Sequence, residues 1–153
     1  MGTADGLTGW PGKIRPAEPG DLEQVAGLVA EFALSFEFRP ESFRVSYPAL
    51  LTDEGARLLV ATDGQESLGY LLGFRHHTFY ANGPVGWVEE IAVRRADRGR
   101  GIGRMLMAAF EQWAIAQECT LIALATRRAS PFYLALGYEE SATYFRKVLV
   151  KPE

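Results

Sequence analysis

The sequence predicts an α+β domain, and three observations carry that reading. Two apolar runs, Arg57–Thr62 and Leu68–Phe74, flank the turn Asp63-Gly64-Gln65-Glu66 as a hairpin would. A third run, Trp87–Val93, passes through an arginine- and glycine-rich turn into a helix-period segment. There Ile102, Leu106, Ala109, Phe110 and Trp113 share one face. Leu22, Val25, Leu28, Val29 and Phe32 mark another amphipathic helix nearer the N-terminus.

In chain order, residues 1–12 are small, polar and glycine-rich, with Trp10-Pro11-Gly12 as their only anchor, and read as a flexible tail. Residues 13–153 read as one domain without repeat or linker. Ile14-Arg15 is a short strand stopped by Pro16. Asp21 caps the first helix, with Gln24 three residues on as in a capping box. Pro40-Glu41 opens a weaker helix whose regularity Pro48 limits, with Phe43, Tyr47, Leu50 and Leu51 on one face. The run Leu68–Phe74 is apolar enough to be a central strand, extended less regularly through His76–Tyr80. Leu121–Thr126 reads as a buried strand. Ser130-Pro131 starts a short helix closed by Gly137, and Tyr144–Val150 alternates as a last strand.

Composition narrows the function classes. The net charge of −3 gives no global basic character, which argues against a nucleic-acid partner. Residues 94–104 nevertheless carry five arginines against one aspartate, a local +4 on a body of −7. The single cysteine, Cys119, permits no internal disulfide, and no apolar stretch is long enough to cross a membrane; a cytoplasmic setting is expected. His76 and His77 are adjacent in a strand and have no third ligand nearby, so no metal is expected. His77, Phe79 and Tyr80 remain candidates for substrate contacts.

The turn at 98–103 suits an anion, because glycines at 99, 101 and 103 let several N–H groups converge where a helix begins. A dinucleotide fingerprint G-x-G-x-x-G fails in both frames, with Arg104 or Leu106 where the last glycine should be. A phosphate-binding loop ending in Gly-Lys-Ser/Thr fails too, since no lysine lies between Lys13 and Lys147.

Arg98-Gly99-Arg100-Gly101-Ile102-Gly103, after the strand Ile91-Ala92-Val93, resembles the pyrophosphate-binding motif of the GNAT superfamily of acetyl-CoA-dependent N-acetyltransferases. Ala129-Ser130-Pro131-Phe132-Tyr133-Leu134-Ala135-Leu136-Gly137-Tyr138 is similar to that family's second main motif, in order and spacing. The resemblance covers about residues 14–150 and is strongest over 87–138. It implies a mixed, mostly antiparallel sheet flanked by helices, and acetyl transfer to a primary amine by direct attack in a ternary complex. It further implies that Ile91, Ala92 and Val93 pair with the pantetheine arm. Arg98, Gly99, Arg100, Gly101, Ile102, Gly103 and Arg104 would hold the pyrophosphate, with Thr126 and Phe132 as further cofactor contacts. Thr126 stands where the family commonly has asparagine, and Ser130-Pro131 departs from its usual apolar-basic pair.

The resemblance assigns Tyr133 as the acid that protonates the coenzyme A thiolate. A phenol of pKa about 10 can do this with little energy against it. Carboxylates inside an apolar strand need a reason, and the consecutive Glu89 and Glu90 point to opposite faces of a regular strand. Glu89, sharing a face with Trp87, Ile91 and Val93, is the first choice of base and Glu90 the second. A small-molecule amine is the expected substrate, with a homodimer implied by family habit. The alternatives are a protein lysine or N-terminal amine, or a CoA-binding sensor without turnover.

Overall fold

The computed structural model describes residues 10–33 and 36–150 of the chain. Its strands are β1 (Lys13–Pro16), β2 (Ala56–Thr62), β3 (Ser67–His77), β4 (Pro84–Val93) and β5 (Ile122–Leu124). They form one sheet in sequence order, antiparallel throughout except for the parallel pair β4–β5. Only that pair needs a crossover, and α3 (Ile102–Ala116) supplies it. Two helices, α1 (Leu22–Phe32) and α2 (Pro40–Leu51), precede β2, and α4 (Ser130–Ala135) follows β5.

The strand alternation explains why both faces are covered. Leu58 and Val60 of β2 point with Tyr70 and Leu72 of β3 toward Val25, Leu28 and Tyr47 of α1 and α2. Leu59 and Ala61 point with Leu71 toward Ile102, Leu106, Met107 and Phe110 of α3. Burying each large side chain on this second face contributes roughly 1.5–3 kcal/mol. Phe110 approaches so closely that a Cβ on Gly73 would stand 2.3 Å from its Cε1. Glycine there is a packing requirement.

Several expectations are corrected. Trp10 is 2% exposed and packs in the α3-side core, so the tail cannot extend to residue 12; its first nine residues lie outside the described ones. Its indole folds over Gly12, where a Cβ would stand 2.1 Å from the ring. Asp21 sits at the start of α1 without capping it by its side chain. Its carboxylate instead accepts two hydrogen bonds from Arg15, at 2.7 and 2.9 Å, and one from the Glu18 N–H at 2.8 Å. Gln24 leaves the helix end and accepts a hydrogen bond from the Ser67 N–H. Pro48 lies inside α2 without ending it.

The C-terminal third departs most. β5 spans three residues and is only half-buried, because among the described residues it pairs on one edge alone. Leu121, expected to be buried, is 39% exposed. Tyr144–Val150, expected as a last strand, forms none, and residues 139–150 are exposed throughout. The alternation is present, but no neighbouring strand meets it.

Candidate active site

The site is organised by a break in β4. Leu72 of β3 pairs with Glu90, but the next residue, Gly73, pairs with Val88, so Glu89 is an extra, unopposed residue. This bulge resets the alternation: Trp87 pairs with Phe74 and Glu90 with Leu72, on the α1–α2 face, whereas Ile91 and Val93 pack toward α3. The expectation that Glu89 shares a face with Ile91 and Val93 therefore fails, whereas Trp87 does stay beside it, donating to its carboxylate. The opposite-face argument fails too, because Glu89 and Glu90 line the same cleft.

The two carboxylates differ in setting. Glu89 is exposed and accepts a hydrogen bond from Trp87 Nε1 at 3.1 Å. Glu90 is half-buried, and its Oε1 accepts a hydrogen bond from the Tyr70 hydroxyl at 2.8 Å. Tyr70 is 2% exposed. Burial, and then the charge of Glu90, push its phenol well above the usual tyrosine range, so it stays a donor. Tyr70 is the residue that sequence reasoning missed. Its one legible signal was a hydroxyl inside an otherwise apolar central strand.

β4 and β5 run together only over Gly86–Val88 and Ile122–Leu124. β5 ends at Leu124, which leaves the outer edge of Glu89–Val93 without a strand partner among the described residues. This is the stretch in which Ile91, Ala92 and Val93 were expected to pair with an extended ligand. Past it, a turn of 3-10 helix (Arg95–Asp97) leads to Gly99 and Gly101. These adopt φ of +80° and +84°, the left-handed region that disfavours other residues. Gly101 precedes α3 without a side-chain cap, so the first N–H groups of the helix, those of Ile102, Gly103 and Arg104, have no capping side chain.

The arginines of the turn are divided in role. The buried Asp97 accepts from Arg94 Nε at 2.6 Å and from Arg100 at 3.0 Å, while Arg98 Nε donates to the Val93 carbonyl at 3.1 Å. Arg98 and Arg100, expected to face phosphate oxygens, thus also brace the turn. Arg104 is exposed and has no ion-pair partner among the described residues. The side chain of Ile102 is buried in the core, so it offers a ligand its N–H alone.

The opposite wall comes from α4. Tyr133 is 8% exposed, lies edge-on to Phe132 and Tyr138, and lines the cleft that holds Glu89 and Glu90. Burial raises its pKa, and its hydroxyl has no protein partner among the described residues. Tyr138 donates to Glu111 at 2.7 Å and is raised by burial and by that bond. Phe132 rests on Gly103, which ties α4 to the start of α3. Thr126 Oγ1 accepts from the Ala129 N–H at 3.0 Å and so shapes the turn into α4.

The whole cleft measures about 2210 Å³. It is lined by six carboxylates, Glu37, Glu89, Glu90, Glu111, Glu139 and Glu140, against the arginines 39, 127 and 146. Of the expected substrate contacts, Tyr80 lines it; His77 and Phe79 do not. His76 and His77 are exposed at the end of β3. Among the described residues no helix is long and apolar enough to cross a membrane.

Known proteins share this fold and much of this sequence. The model of the acetyltransferase (GNAT) family matches residues 25–138. An aminoalkylphosphonate N-acetyltransferase from Salmonella typhimurium is 32% identical, over 90% of this chain and 91% of the relative. An aminoglycoside N(6')-acetyltransferase type 1 from Stenotrophomonas maltophilia is 33% identical, over 66% of this chain and 72% of the relative. Among solved structures, one described as a transcriptional regulator from Bacillus halodurans C-125 superposes with a TM-score of 0.83 and 28% identity. It covers 90% of this chain and 99% of its own. With its α+β fold, glycine turn and match to the family model, this chain belongs to the GNAT family of acetyltransferases and is an acyltransferase enzyme.

Proposed function

We propose that the chain is a single N-acetyltransferase domain that moves an acetyl group from acetyl-CoA to a primary amine of a small cationic molecule, by direct attack in a ternary complex. The observation that carries this reading lies on one strand. β4 offers a free edge for an extended thioester ligand and, at its bulge, a carboxylate held by a buried tyrosine.

The residues present fit the co-substrate. The α3 N-terminus with its left-handed glycines suits a pyrophosphate, with N–H groups of Ile102, Gly103 and Arg104 as donors and Arg104 near them. The unpaired edge at Ile91–Val93 suits amide groups of a pantetheine arm. When bound, acetyl-CoA supplies an activated acetyl group. A backbone N–H at the β4 bulge is assigned to its carbonyl oxygen, a role in which a donor fixed in advance is most effective.

For attack the amine must lose a proton, and we assign its removal to the Glu90 carboxylate rather than to Glu89. Tyr70 fixes one oxygen of Glu90 and leaves the other to the amine or to a bridging water. Tyr133 supplies a proton to the departing sulfur; its raised pKa keeps the phenol protonated until then.

The six carboxylates of the cleft favour a polyamine-like or aminoglycoside-like polycation. They disfavour an aminoalkylphosphonate, whose second charge is negative. Thiol release from acetyl-CoA across a panel of polyamines, aminoglycosides, aminoalkylphosphonates and lysine peptides tests the reading. Fastest turnover of polycations is expected. Preference for the phosphonates would overturn the charge argument, and tight acetyl-CoA binding without turnover on any amine would favour a sensor.

A further inference from the structure

Helix α1 ends on a carboxylate that its own backbone does not favour. Glu31 stands in the last turn of α1, one residue before Phe32, where the helix dipole and the unbonded carbonyls oppose a negative charge. Glu31 is exposed and belongs to neither core. It makes no ion pair among the described residues, although arginines of the turn after β4 pair with Glu66 and Asp97. Its Oε2 accepts instead from the backbone N–H of Arg95, at 2.8 Å and across 64 residues of chain.

That N–H opens the 3-10 turn Arg95–Asp97, and the preceding residue, Arg94, gives the turn no side-chain cap. Other bonds of the turn are internal. The Asp97 N–H donates to the Arg94 carbonyl and the Arg98 N–H to the Arg95 carbonyl, while the Asp97 carboxylate binds Arg94 and Arg100. Such bonds fix the shape of the turn but not its place on the body. Among the described residues, three bonds tie its start to distant parts of the chain. The Arg94 N–H donates to the Leu68 carbonyl at 2.7 Å, the Arg94 guanidinium meets Glu66 at 3.2 Å, and Glu31 holds Arg95. An ion pair between long, partly exposed side chains restrains a backbone weakly. A carboxylate on a main-chain N–H acts on the backbone itself.

We propose that Glu31 is a positioning residue for acetyl-CoA, which holds the start of the turn through the Arg95 N–H. The restraint passes through Asp97 to Arg100, and so to Gly99, Gly101 and the first N–H groups of α3. Val29 and Phe32, near it on α1, line the cleft, so the same bond ties that wall to the turn. Charge alone gives the opposite expectation, because a carboxylate close to an anion site weakens the anion's binding. The inference rests on the acetyl-CoA site proposed above.

Calorimetry with acetyl-CoA on Glu31→Ala, Glu31→Lys and Glu31→Gln separates position from charge. Alanine and lysine should each weaken affinity about three- to tenfold, the worth of one hydrogen bond. Glutamine keeps an acceptor oxygen and should stay within about twofold of the wild type. In steady-state kinetics the loss should fall on KM for acetyl-CoA rather than on kcat. Hydrogen exchange followed by NMR should show the Arg95 amide protected in the wild type and the glutamine variant, and faster in the other two. Unchanged or tighter binding by the alanine and lysine variants overturns the proposal, and so does a glutamine variant as weak as alanine. An unprotected Arg95 amide in the wild type overturns it equally. A wild-type protein that binds no acetyl-CoA, with its Arg95 amide still protected, overturns the cofactor site itself and the proposal with it.

Discussion

The two walls of the cleft are built by different means. The β4–turn–α3 wall is continuous in sequence, and each part braces the next. Asp97 holds Arg94 and Arg100, Arg98 holds the Val93 carbonyl, and the left-handed glycines deliver the chain into α3. The β5–α4–arm wall is looser: a strand of three residues, a helix of six, and an exposed arm, residues 139–150. Local constraints can preorganise an anion site, where backbone N–H groups must be fixed before the ligand arrives. The acceptor side of the cleft is instead left to side chains.

That contrast can be broken at several points. The largest effect is expected within the bulge. Glu90→Gln should lower kcat/KM about 10²-fold or more, as loss of a general base does, while Glu89→Gln should change it only a few-fold. Steady-state kinetics on the best amine decide this, and equal small effects would mean that neither carboxylate takes the proton. Tyr133→Phe on the opposite wall is expected to lower kcat about 10²-fold, toward the low end for a lost general acid, with acetyl-CoA affinity unchanged by calorimetry. If kcat survives, the sulfur takes its proton from elsewhere.

Gly101→Val tests the cofactor wall alone. Forcing a side chain into φ of +84° costs about 1–2 kcal/mol, so acetyl-CoA affinity should weaken about tenfold, with little change in which amine is preferred. A shifted amine preference would show that the walls are not separable.

The smallest effect is on alkaline stability. Tyr47 donates to the Glu18 carbonyl at 2.7 Å, and its phenol is pushed up to about 12, chiefly by burial. Folding thus favours the neutral phenol. The contribution is fully present below the ordinary value of 10.0 and fades as pH rises toward about 12. Urea unfolding at rising pH should show this loss, and Tyr47→Phe should flatten it while costing about 1 kcal/mol at neutral pH. An unchanged slope would assign the alkaline loss to other buried tyrosines.

The hairpin, the helix faces, the glycine turn and the short helix that carries Tyr133 were all legible in the chain before folding. Each of these is written in local terms: a period of 2 or 3.6, a glycine where φ is positive, a proline at a helix start. Whatever depends on register needed the folded chain. The bulge at Glu89 exists because β3 and β4 pair on either side of it, and that single extra residue turns Trp87 away from Ile91 and Val93. Tyr70 and Glu90 are 20 residues apart and meet only across the paired strands. Trp10 likewise left a predicted tail for the core, since its burial depends on a surface built by later residues. At Tyr144–Val150 the alternation was legible, but a strand also needs a neighbour, and among the described residues none lies against it.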